Sequence, residues 1–193
     1  AGNAGTNVTS VTNASSVTFD KTAPTLTSAS IASDYSTNTL ASTNDEITVT
    51  LTASEVIAQP TVTFLSGGNS ITNAGAITYN NTSGNTWTAA YTAHTNDTDG
   101  VVTYSIVVGD LAGNPGTAVT TGSGSVTFDK TAPTLTSVSI TSDNSPATHA
   151  NPGDVVTVTL AASVAISQPV VTFKSGGNAV SDGSITYAGS GAN

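Results

Sequence analysis

Ser16-Val17-Thr18-Phe19-Asp20-Lys21-Thr22-Ala23-Pro24-Thr25-Leu26-Thr27-Ser28 recurs without a change at Ser125–Ser137, an offset that carries Asp20 onto Asp129. From Ser16 to Asn69, 37 of 54 positions match their partner at that offset. A solenoid unit is shorter, about 20–50 residues, whereas ~100 residues is the size of one β-sandwich domain. The repeat therefore predicts successive sandwiches. Chains of near-identical domains act by spacing, sticking or building more often than by catalysis.

Working outward, the strands are expected as short alternating runs. The cleanest is Glu46–Ala53, with Ile47, Val49, Leu51 and Ala53 on one face and Thr48, Thr50 and Thr52 on the other. Thr25–Ile31, Thr61–Leu65, Ala76–Tyr79, Thr86–Thr92, Val101–Val108 and Ser125–Phe128 complete seven predicted strands, and Gly67-Gly68-Asn69 is expected to turn. Three segments follow: 1–21 as the last strand of a preceding domain, 22–130 as one complete sandwich, and 131–193 as the N-terminal part of a following one. The last segment has no counterpart of the Trp87, Tyr104 or Phe128 strands. It is expected to leave Val156, Val158, Leu160, Val171 and Phe173 uncovered, with the missing strands coming from a continuing chain or from a neighbour. The joint Phe-Asp-Lys-Thr-Ala-Pro contains Pro24 or Pro133, which fixes φ and extends the residue before it. Without a glycine it should be short and stiff.

Composition narrows the function. Charged residues are only 8% of the 193, against about 25% in ordinary domains, so the surface is Thr, Ser, Asn and Gly. The mean hydropathy of +0.06, with recurrent Val, Ile and Leu, does not fit disorder. The net charge of −9, with three Lys and Arg, opposes nucleic acid and anionic membrane surfaces. No run of about 20 apolar residues is present for direct membrane insertion. Cysteine and methionine are absent, so no disulfide staples the fold.

With the joint, the Gly109-Asp-Leu-Ala-Gly-Asn114 turn and the Trp87 and Tyr104 strands in place, the chain resembles bacterial immunoglobulin-like (Big-type) repeat domains of large secreted surface proteins and adhesins. The resemblance implies an all-β fold of tandem immunoglobulin- or fibronectin-like antiparallel sandwiches, an extracellular bacterial location, use as a stalk, and calcium at some joints. It also implies neighbouring copies of the domain as partners in cis, or other chains in a fibre. Tyr104 looks like a tyrosine corner, its hydroxyl bonding nearby backbone.

The calcium candidates are Asp20 and Asp129 at the joints, Asp110 in the turn, and Asp97 and Asp99 in Asn-Asp-Thr-Asp-Gly. Hard Ca²⁺ takes six to eight oxygens, which loop carboxylates and carbonyls can supply. The alternative is Asx turns. Pro24, Pro133, Trp87, Tyr104, Phe64 and Phe128 are expected to be structural. His94 and His149 lie alone in polar turns. No serine sits in a nucleophile elbow, so no catalytic residue is expected. Asn7, Asn13, Asn80, Asn81 and Asn96 carry Asn-x-Ser/Thr matches, which arise by chance in such a chain. The leading expectation is a non-catalytic extender. The alternatives are a filament subunit that donates residues 7–20 to a neighbour, and a carbohydrate- or ice-binding module using the Thr48, Thr50 and Thr52 face.

Overall fold

A computed structural model describes residues 15–72, 76–180 and 184–189. The chain divides into two compact units, Ala1–Lys130 and Thr131–Asn193. All of its named elements are β-strands.

In the first unit β1 (Leu26–Ser33), β3 (Glu46–Ala53), β6 (Thr78–Asn81) and β7 (Thr86–Thr92) form an antiparallel sheet of order β1-β3-β7-β6. The second sheet contains β2 (Leu40–Ala41), β4 (Thr61–Ser66), β5 (Asn69–Ser70), β8 (Gly100–Val107) and β9 (Val126–Phe128), in the order β2-β9-β8-β4-β5. Stripped of β2 and β5, these are the ABED and GFC sheets of an immunoglobulin-like sandwich. The β2–β9 pair is parallel. Ile31 N also donates to Ser123 O, and Ser123 N to Ala29 O, so β1 clips the approach to β9 and ties the two sheets along one edge.

The alternation of β3 holds as expected. Ile47, Val49, Leu51 and Ala53 are buried, and the threonines between them are not. Val102, Tyr104 and Ile106 of β8, with Val108 just beyond its end, are buried in the same core. Phe64, Phe128 and Pro24 are fully buried, and the Phe64 ring packs against Tyr91 with centroids 4.7 Å apart. Trp87 is only half-buried, at the margin of the core, and its indole N–H finds no partner. The Tyr104 hydroxyl corrects another expectation. It is buried against Gly122, where any side chain would collide with it, and it bonds nothing, so it forms no tyrosine corner. Of the turn expected at Gly67-Gly68-Asn69, the two glycines form the link between β4 and β5, both with positive φ (55° and 81°), while Asn69 already opens β5 opposite Ser66.

The second unit contains β10 (Leu135–Ser142) paired with β11 (Val156–Ala162), and β12 (Lys174–Ser175) paired with β13 (Asn178–Ala179). Their registers reproduce those of β1–β3 and β4–β5 at the offset of the sequence repeat, including the irregularity between Leu26 and Ser28, which returns between Leu135 and Ser137. The Tyr79 hydroxyl accepts from Val62 N, and the Tyr187 hydroxyl accepts from Val171 N. The apolar face lies open. Val156 is exposed, Val158, Leu160, Val171 and Phe173 are half-buried, and Pro133, unlike Pro24, is exposed.

Residues 1–14 of the expected preceding strand, with the Asn7 and Asn13 matches, lie outside the described residues. Residues 15–20 belong to no strand.

Candidate cation site at one end of the first unit

The turn after β8 is built by one residue. Asn114 donates its backbone N–H to Asp110 Oδ1 at 2.8 Å and its side-chain Nδ2 to Asp110 Oδ2 at 2.6 Å, while Asp110 N donates back to Asn114 O at 3.2 Å. Gly113, with φ 91°, lets the chain reverse. The Asn114 side-chain bond, joined by backbone N–H groups of Asn114, Gly113 and Ala112, holds the Asp110 carboxyl below the usual carboxylate range, although burial pushes the other way. Asp110 is thus a fixed, ionised, buried carboxylate.

Asn114 Nδ2 also reaches the backbone carbonyl of Asp20 at 3.2 Å. That bond brings the joint to the turn. Asp20 is itself locally shaped, its Oδ1 accepting from Thr22 N at 2.9 Å. Glu55, in the loop after β3, completes the group. One carboxylate oxygen from each of Asp20, Glu55 and Asp110 lies within 4.8 Å of the others. They border a surface depression that Thr18, Val56 and Leu111 also line. Calcium holds its oxygens at about 2.3–2.6 Å, so two ligands across the ion stand up to roughly 5 Å apart, and the triad fits that span.

Of the sequence-predicted candidates, then, the fold gathers Asp20 and Asp110 and leaves Asp97, Asp99 and Asp129 outside the triad. Asp97 is buried, its two oxygens accepting from Thr72 N at 2.7 Å and His94 N at 2.9 Å. It staples the β7–β8 connection to the chain after β5. Asp99 Oδ1 accepts from Lys130 N at 3.0 Å, and Asp129 N donates to Ala41 O at 2.9 Å. The Lys130 ammonium donates to the carbonyls of Thr95 (2.9 Å) and Asp97. A lysine thus supplies positive charge beside Asp97 and Asp99. His94 remains a turn residue, its Nδ1 accepting from Asn96 N, and His149 Nδ1 pairs with Thr148 Oγ1.

Glu55 was missed in the sequence because it is a lone acid between Ser54 and Val56. One signal bears on it: at the repeat offset its counterpart is Val164, whereas Asp20 is kept as Asp129. The triad is therefore not encoded again at the matching position.

No family model matches the chain, and no curated protein matches it at a significant level. Among solved structures it is similar to the titin domains Z1Z2, determined in complex with telethonin, at 15% identity over 86% of this chain and 75% of that one, with a TM-score of 0.34. So distant a likeness adds nothing to what the sheets establish. No helix among the described residues is long and apolar enough to cross a membrane.

Proposed function

We propose that this chain is a non-catalytic extender, a stretch of stalk from a large extracellular bacterial surface protein or fibre. The observation that carries the reading is the repeat that maps Asp20 onto Asp129, present both in the sequence and in the register of β1–β3 and β10–β11. A sandwich repeated at that spacing gains length, and a composition dominated by Thr, Ser, Asn and Gly supplies a polar surface without calling for a catalytic site. The extracellular bacterial setting rests on the resemblance to Big-type repeats. The partners in this reading are neighbouring copies of the same domain. The test is the mass of the native polypeptide under denaturing conditions. A mass many times 19.0 kDa supports an extender, and one near 19.0 kDa refutes it.

The acidic triad favours one addition. In this reading Asp20, Glu55 and Asp110 hold a calcium ion, and the ion joins the entering chain to the β3 and β8 loops. The ion would neutralise three clustered carboxylates and stiffen the entry to the sandwich. Isothermal titration with Ca²⁺ tests it, with Glu55→Gln as the variant that should not bind.

A further inference from the structure

Residues Ser16–Lys21 and Ser125–Lys130 have the same sequence, yet the fold treats them in opposite ways. In the second copy, Val126 and Phe128 are both 0% exposed. The strand they form, β9, lies between β2 and β8. It pairs Leu40 with Thr127 and Ala41 with Phe128 on one side, and Gly100 with Phe128 and Val102 with Val126 on the other. Lys130 then fastens the end of the strand, through its ammonium to Thr95 O and Asp97 O and through its backbone N–H to Asp99. In the first copy, Val17 is 97% exposed and Phe19 87%. No strand ladder among the described residues includes residues 16–19.

We infer that residues 16–21 are a closing strand with its own lysine fastener, fitted to the β2–β8 seam of a second sandwich of this same sequence type. Three features support this. The alternation Val17–Phe19 presents two apolar side chains on one face, the spacing that β9 uses to fill the core. Lys21 follows Phe19 at the distance at which Lys130 follows Phe128, so the same ammonium would reach the same two carbonyls. The strand does not close its own unit, because β9 already fills that seam and Asn114 holds the Asp20 carbonyl at the β8-turn end. Here Val17 and Phe19 lie exposed and residues 16–19 join no strand ladder among the described residues; in the seam the segment would gain both ladders. This holds whether or not the chain serves as a stalk, since it concerns what the strand fits rather than what the assembly is for.

The experiment uses the full 193-residue chain carrying Phe128→Ala, which weakens the resident strand, and a synthetic peptide of residues Ser15–Thr22. Thermal melting is followed as the peptide is added. The proposal expects the melting temperature to rise with peptide concentration, as for any ligand of the folded state alone. The same peptide with Phe19→Ala should give no rise, and with Lys21→Ala should need roughly ten times the concentration, the weight of a charge-assisted fastener. If Phe128→Ala proves unfolded at the outset, Phe128→Leu takes its place. No shift with the native peptide in a folded variant, or an equal shift with the Phe19→Ala peptide, overturns the proposal. Sedimentation gives an independent reading. The Phe128→Leu chain should associate as concentration rises, through its own residues 16–21, and adding Phe19→Ala should return it to single chains. Association that persists in the double variant also overturns it.

Discussion

Phe19 and Phe128 stand at the same position of two identical stretches, and one is 87% exposed while the other is 0% exposed. Residue identity does not decide burial here; the neighbours do. Phe128 has β2 and β8 on either side. Phe19 has no strand beside it among the described residues.

The first prediction follows from that pair. Phe128→Ala should destabilise the first unit by about 3–5 kcal/mol, through lost transfer energy and the cavity left behind. Phe19→Ala should change it by less than ~0.5 kcal/mol. Urea unfolding of the two variants checks the contrast. Equal effects would mean that Phe19 is packed.

Tyr104 gives a prediction of the opposite sign to the expected tyrosine corner. Its hydroxyl is buried without a partner, and burial raises its pKa. Removing an unsatisfied polar atom costs nothing, so Tyr104→Phe should leave stability unchanged or raise it by up to about 1 kcal/mol. A loss of more than ~1 kcal/mol in urea unfolding would restore a hydrogen bond to this hydroxyl.

Asp110 predicts the acid limb. Its folded pKa lies below the unfolded value near 3.9. Its contribution to stability is therefore fully present above that unfolded value and lost as pH falls through the folded one. Asn114→Ala removes the largest cause of the depression. The variant should be less stable at pH 7, and its stability should fall less steeply than that of the parent as pH drops below the unfolded carboxylate value. Melting temperatures across this range decide it, and parallel curves would contradict the role given to Asn114.

Calcium should act at one end of the unit. With free Ca²⁺ at about a hundred times its dissociation constant, the first unit should gain roughly 2.7 kcal/mol, reversed by a chelator. Glu55→Gln should abolish the gain, and Asp99→Asn should not, since Asp99 lies outside the triad. A gain retained in Glu55→Gln would move the ion elsewhere.

Much of the fold was legible because its signals are local. The period-two alternation of Glu46–Ala53 predicts β3 at its observed bounds, and the glycine pair at 67 and 68 predicts the β4–β5 turn. The two-residue strands β2 and β5 were not legible, because so short a run carries no period; they exist only as partners of β9 and β4. Trp87, expected to be structural, packs at the margin of the core, opposite Leu51 on β3 and Asn81 on β6. The candidate site was half legible. Asp20 and Asp110 announce themselves through the joint and the turn. Glu55 reaches them only because the loop after β3 and the turn after β8 meet, as the Ile57–Asp110 bridge records. Nothing in the sequence spacing encodes that meeting. Asp97 shows the converse: it looks like a ligand in its motif, but its oxygens are taken by backbone N–H groups brought in by the fold.

The central claim is that the natural polypeptide is a series of sandwiches spaced by the interval from Asp20 to Asp129. Stretching single molecules of the native protein tests it most directly. Each unfolding event should release a nearly constant length, that of one repeat at about 3.3–3.6 Å per residue less the folded span of one unit, in a regular train of equal steps. A single step, or steps of unrelated lengths, would contradict it.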